Sequence, residues 1–238
     1  CPYQCSFCAW STFENMKVRN YDLEIVLEEL RYIYKLAKYD FRLYVADANF
    51  GIQERDVVIA EEIRRLDNNS RVRCTGITLE YSKNNLKRNT EIALILGKKF
   101  EPILAVQTFN KEVAKNSKRS LQKDNEILKF IRILNNNGIA VATDLLIGLP
   151  GDTKKSQLES MKKSYKMGFH KTSNADIRLL PSSILETEEQ VLKWGIKSKY
   201  RVIPTCYGEY GGHKVVEYEK CIRKTNHMSE DDFRYLRL

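Results

Sequence analysis

The chain has 238 residues, 42% hydrophobic and 30% charged, with a net charge of +9. That length supports one sizeable core, and the composition is that of an ordinary globular protein. No apolar run approaches the roughly eighteen residues of a membrane span, and no basic-then-apolar leader pattern is visible. The lysines are dispersed along the chain, the pattern of a solvated exterior, so the charge alone does not call for a nucleic-acid partner.

The predicted elements alternate. Apolar residues at Leu23, Val26, Leu27, Leu30, Ile33, Tyr34 and Ala37 keep the spacing of one helix face, with Asn20 or Asp22 as cap. Phe41–Ala46 reads as a strand, Glu54–Leu66 as a helix, Val72–Leu79 as a strand and Thr90–Leu96 as a short helix. Ile103–Val106 is a strand, and Gln122–Asn136 a helix ending at Gly138. Ile139–Ile147 is a long apolar strand, and Lys154–Met167 a helix closed by Gly168. Ala175–Leu180 is the last strand, followed by a helix near Glu186–Trp194. Beyond Lys197 the pattern is irregular, and Tyr207–Gly212 is expected to be loop.

Strands alternating with helices imply α/β architecture with a parallel sheet. Five strands, with a sixth entering Cys1 from preceding sequence, point to an open, partial (β/α)6 barrel whose N-terminal strand is truncated at the cysteine loop. Residues 1–196 form the expected core and 197–238 an extension. The chain opens inside a motif, and the capped helix from Met228-Ser229-Glu230-Asp231-Asp232 stops at Leu238. It therefore reads as part of a longer protein, with sequence missing at both ends.

Three of the six cysteines fall within the first eight residues, as Cys1-Pro-Tyr-Gln-Cys5-Ser-Phe-Cys8. Such short gaps suit a metal better than a disulfide framework, and metal thiolates point to a reducing compartment, the cytoplasm. Zinc sites and ferredoxin clusters usually take four ligands. Three cysteines on one loop can hold three irons of a 4Fe–4S cubane and leave the fourth open to a small molecule. A zinc loop completed from elsewhere stays open as the alternative.

Polar residues stand where strands end. Glu80 closes Ile77-Thr78-Leu79, Gln107 closes Leu104-Ala105-Val106, and Asp144 lies inside an apolar run where an unpaired carboxylate is costly. Each has a structural reading, satisfied by backbone or by a lysine. Converging on one sheet face, they fit a polar ligand better. Arg119 follows in the next loop and has the geometry to grip a carboxylate, or it is a surface arginine. Gly148-Leu149-Pro150-Gly151 is a tight turn whose glycines permit close backbone approach.

Together these residues resemble the radical S-adenosylmethionine superfamily along nearly the whole chain. The cysteine triplet with Phe7 carries the signature. Gln107-Thr108-Phe109-Asn110, Arg119 and the run from Asp144 to Gly151 look like the branch containing oxygen-independent coproporphyrinogen oxidase. The resemblance implies that Cys1, Cys5 and Cys8 hold a 4Fe–4S cluster and that Phe7 lies against the adenine of S-adenosylmethionine. Glu80 then meets its amino group, Arg119 its carboxylate, and Gln107 and Asp144 its ribose.

A narrower resemblance is to radical enzymes that carry a cobalamin-binding domain ahead of the cluster motif. It rests on Asp47-Ala48-Asn49-Phe50-Gly51 with Arg55-Asp56, Lys83-Asn84-Asn85, Leu179-Leu180-Pro181, Arg201-Val202-Ile203-Pro204, Glu217-Tyr218-Glu219 and Met228–Asp231. It implies cobalamin bound by a domain outside this chain, a methyl transfer or another radical transformation of a small-molecule or natural-product substrate, and flavodoxin or ferredoxin as electron donor. Two rivals are kept. One is a radical enzyme that modifies RNA, of methylthiotransferase type. The other is a non-catalytic iron–sulfur or zinc module, with Cys206, His213, Cys221 or His227 supplying a fourth ligand.

Overall fold

The computed structural model describes residues 1–11 and 16–237. Helix α1 (Leu23–Leu36) starts at Asp22, whose carboxylate accepts from the backbone of Glu24. It leads into β1 (Phe41–Phe50), α2 (Arg55–Asn69), β2 (Cys74–Tyr81) and α3 (Leu86–Leu96). Then follow β3 (Ile103–Gln107), α4 (Lys111–Asn116), α5 (Asp124–Asn136), β4 (Ala142–Ile147), α6 (Lys154–Met167) and β5 (Lys171–Asp176).

Strand β1 pairs parallel with β2, and β3–β4–β5 form a second parallel sheet in chain order. Chain-order neighbours joined by helical crossovers build a barrel wall, whereas a doubly wound sheet reverses its order at a switch point. The fold is a partial α/β barrel. Its wall is interrupted between β2 and β3, where an isolated bridge joins Ile77 to Phe100.

Alternation along each strand separates two faces. Leu43, Ile77, Leu79, Leu104 and Val106 are buried in one apolar core with residues of α1, α2, α3 and α5. The intervening Tyr44, Thr78 and Glu80 are exposed, and Asp144 and Ser173 are half-buried.

Three predicted features differ from the structure. The last barrel strand is Lys171–Asp176, earlier than Ala175–Leu180, with Ala142 opposite Lys171 and Ile147 opposite Asp176. Lys171-Thr-Ser-Asn is polar and does not advertise a strand. The apolar Ile177 and Leu179 instead enter a second core with Ile147, Leu149, Ile222 and Phe233.

Tyr207–Gly212 is not loop. Strands β6 (Lys197–Tyr210) and β7 (His213–Lys224) form an antiparallel hairpin whose connection is Gly211-Gly212. Both glycines have positive φ, 56° and 80°, as a type I′ hairpin turn requires. Pro204 and an irregularity between Val202 and Tyr207 break the period that would have revealed the strand. Finally, α4 has no counterpart in the periodicity; it forms because the Asn110 side chain accepts from the backbone of Glu112 and Val113.

Helices α7 (Glu188–Trp194) and α8 (Glu230–Leu236) complete the described chain, and Leu238 lies outside the described residues. Residues on both sides of position 196 share the second core, and the base of β7 bonds to the barrel: Ile222 N–H donates to Ile177, and Leu179 N–H to Lys220. The Gly148–Gly151 turn serves this packing. At Gly148 (φ 91°) an added Cβ would lie 2.5 Å from Phe233.

Candidate metal and ligand centre at the strand ends

The cysteine loop is fastened by backbone bonds at its middle. Ser6 N–H donates to Ser117, Leu185 N–H donates to Ser6, and Cys8 N–H closes a turn onto Cys5. The loop thereby ties the segment after α4 to the segment before α7. Phe7 packs against the second core and remains half-buried. Cys5 is buried, while Cys1 and Cys8 are partly accessible.

The thiols have separate surroundings. Cys1 Sγ donates to Asn49 Oδ1 at 3.6 Å, and Asn49 is held by the Asp47 carboxylate, which accepts from its backbone N–H. Cys5 Sγ faces two cations, Arg119 Nη1 at 3.7 Å and Lys83 Nζ at 3.9 Å. Among the described residues neither cation is in an ion pair, although the Glu80 carboxylate acts on Lys83 from a longer distance. Burial lowers the pKa of each from its ordinary value; repulsion from Arg119 lowers Lys83 further, and the cysteines oppose the shift in both.

Arg119 also bonds to the strand that precedes it. Its Nε donates to the Val106 carbonyl at 3.1 Å and its Nη2 to that of Ala105. It thus caps the top of β3 and presents one edge to Cys5. Beside it, a cavity of about 490 Å³ opens between the ends of β2 and β3, lined among others by Lys83, Ala105, Arg119 and Gln122. A smaller one of about 210 Å³ lies on the thiol side, bounded by Tyr3, Cys5, Lys83, Lys118 and Arg119.

Glu80 sits at the end of β2 with its side chain exposed on the face away from the helices. Gln107 ends β3 buried and with φ of 70°, a conformation that non-glycine residues seldom adopt and that gathers at functional sites. Asp144 lies opposite Ser173 in the sheet register and is half-buried. Glu80 and Gln107 therefore stand at strand ends and Asp144 in mid-strand, while Arg119 and Cys5 meet directly.

Lys83 was not singled out for this site by the sequence. Lys83-Asn84-Asn85 entered only as part of the narrower resemblance, and the neighbours of Lys83 in space, Tyr3, Cys5, Arg119 and Gln122, are distant in the chain. Lys118, also beside the cavity, has a strained φ of 53°.

The residues fit a sulfur-bound metal cluster by the chemistry of the donors: three thiols on one loop, with cations at the buried one. Ser6 Oγ and Ser117 Oγ, flanking the same loop, are buried with no hydrogen-bond partner among the described residues. Among those residues, no three His, Cys, Asp or Glu side chains are already gathered around one point, at the loop or at Cys206, His213, Cys221 and His227.

The chain is thus a partial parallel barrel with three cysteines on a loop beside the ends of its strands. Residues 1–163 match the Radical SAM superfamily, and the chain belongs to it. It is 27% identical over 248 residues to 2-(S-pantetheinyl)-carbapenam-3-carboxylate methyltransferase of Streptantibioticus cattleyicolor, covering 98% of this chain and 34% of that protein. It is 26% identical over 243 residues to the cobalamin-dependent radical SAM methyltransferase TokK of Streptomyces tokunonensis, covering 97% and 34%. The chain thus spans about a third of the length of these relatives. The radical S-adenosylmethionine methyltransferase TsrM from Kitasatospora setae, solved with cobalamin and a 4Fe–4S cluster bound, shares the fold. Its TM-score is 0.67 at 16% identity, covering 83% of this chain and 37% of that one. No helix among the described residues is long and apolar enough to cross a membrane.

Proposed function

We propose that this chain is the catalytic barrel of a radical enzyme that methylates a small natural-product substrate. In this reading Cys1, Cys5 and Cys8 hold a 4Fe–4S cluster, and cobalamin is bound by a domain outside residues 1–238. The observation that carries it is the buried Cys5 thiol facing Arg119 and Lys83 on a loop with two further cysteines. The likeness over nearly the whole chain to two methyltransferases supports the choice of methyl transfer.

When bound, the cluster and S-adenosylmethionine supply one-electron cleavage of a carbon–sulfur bond, giving methionine and a 5′-deoxyadenosyl radical, with the electron drawn from a flavodoxin or ferredoxin in a reducing cytoplasm. The chain's own residues bind and orient. Glu80 takes the amino group of S-adenosylmethionine from the end of β2. Arg119, locked by two carbonyls of β3, offers its remaining edge to the carboxylate. Gln107 and Asp144 hold the ribose, and Phe7 covers the adenine. Residues 1–196 act as the catalytic core, and 197–238 as an extension sealing one end of it.

The test is anaerobic reconstitution with iron and sulfide, reduction in the presence of S-adenosylmethionine, and assay for 5′-deoxyadenosine. Wild type yields the nucleoside and Cys5→Ala does not. Product from the variant would sink the assignment, and zinc uptake without product would favour a binding module.

A further inference from the structure

We propose that Lys83 is a positioning residue whose ammonium, acting through the Cys5 sulfur, makes the cluster easier to reduce; this rests on the function proposed above. Its Nζ lies 3.9 Å from Cys5 Sγ, within reach of a weak charge-assisted hydrogen bond to sulfur.

Two features hold it there. Gln122 Nε2 donates to the Lys83 carbonyl from the start of the α5 segment. The ammonium also lies over the Tyr3 ring, 5.8 Å from its centre. A flexible lysine stem would ordinarily swing to solvent, so the extra contacts select the conformation that points at the sulfur.

The physical consequence follows from charge. Reduction adds one electron to the cluster and neither makes nor breaks a bond, so the reduced form is the more negative. Hydrogen bonds and cations at a ligating sulfur favour that form, and burial strengthens the effect. Arg119 faces the same sulfur, yet two carbonyls of β3 and the expected carboxylate ligand compete for its donors. The Lys83 ammonium is in no ion pair among the described residues; the Glu80 carboxylate acts on it, but less than Cys5, so the sulfur is the anionic neighbour that feels its field most.

The experiment is a potential titration of the anaerobically reconstituted protein with small mediator dyes, read by the paramagnetic signal of the reduced cluster. Wild type is compared with Lys83→Met, Lys83→Gln and Lys83→Arg. Loss of the charge is expected to shift the reduction equilibrium about tenfold toward the oxidised form, about 59 mV lower for a one-electron couple. Lys83→Arg is expected to recover most of that shift, which a merely space-filling role would not do. An unchanged potential in a neutral variant that holds its cluster overturns the proposal, and so does failure of all three variants to take up iron and sulfide, which would make Lys83 structural. A wild-type protein that forms no cluster overturns the functional reading itself, and this inference with it. A wild-type cluster with indifferent variants overturns only the inference.

Discussion

The same strands present two unlike faces, and the contrast explains how a barrel becomes a site. Toward the helices, Ile77, Leu79, Leu104 and Ile147 are almost wholly buried. Away from them, Tyr44 and Glu80 stand exposed and Asp144 is half-buried, with no second apolar layer over them. A closed barrel fills its interior with branched side chains in layers. Here the helix-side face carries most of the apolar packing, and on the reading proposed above the other face holds a ligand. Substitutions should therefore separate, costing stability on one face and binding on the other.

The largest stability loss is expected from Ile147→Ala, a fully buried side chain of the second core, at about 2–5 kcal/mol. Chemical denaturation measures it, and a loss under 1 kcal/mol would mean that the helix-side core is slacker than described.

Asp152 tests the same face by pH. It is 1% exposed, its Oδ1 accepts from Thr153 N–H and Ser156 Oγ, and its Oδ2 has no partner among the described residues. Burial pushes its carboxyl up to about 6 from 3.8, against the pull of those two bonds. Between these values the native state holds more protons than the unfolded chain, so the stability contributed by this group falls as pH rises through the window. The total is up to about 3 kcal/mol, at about 1.4 kcal/mol per pKa unit. Thermal unfolding at pH 5 and 7.5 should show a slope in wild type that Asp152→Asn lacks in this part; parallel slopes would refute the assignment.

Gly148→Ala combines a left-handed φ with a Cβ pressed on Phe233, and should cost about 1–3 kcal/mol. A melting temperature equal to wild type would show that α8 is free to withdraw.

The smallest stability change is expected on the other face. Glu80→Gln and Asp144→Asn should stay within about 0.5 kcal/mol of wild type while weakening S-adenosylmethionine binding at least tenfold by calorimetry on reconstituted protein. Intact binding, or a marked loss of stability, would erase the distinction between the faces.

What was legible in the sequence follows from how far each signal reaches. The cysteine triplet is contained in eight residues, and the helix and strand periods in a dozen. The polar strand ends stood out because Glu80 and Asp144 interrupt apolar runs. The hairpin was hidden by Pro204 and Gly208, although Gly211-Gly212 is a turn signal of the kind that hairpins use. β5 was displaced because its pairing with β4 is backbone work, indifferent to the polarity of Thr172 to Asn174. The bonds of Arg119 to β3 and the approach of Lys83 to Cys5 join segments tens of residues apart, and no local pattern encodes them.

Arg119 has one further consequence. At the top of β3 its planar fork supplies donors to two consecutive carbonyls, which in a regular strand point to opposite edges and would not both face one neighbouring strand. The guanidinium thus satisfies the stretch of β3 whose pairing with β4 is irregular, between Leu104 and Gln107. A lysine has the charge but not the fork, so Arg119→Lys would leave a carbonyl stranded even if a ligand were still attracted. On the reading proposed above, ligand grip and the cap on β3 rest on one group, and neither can drift without the other.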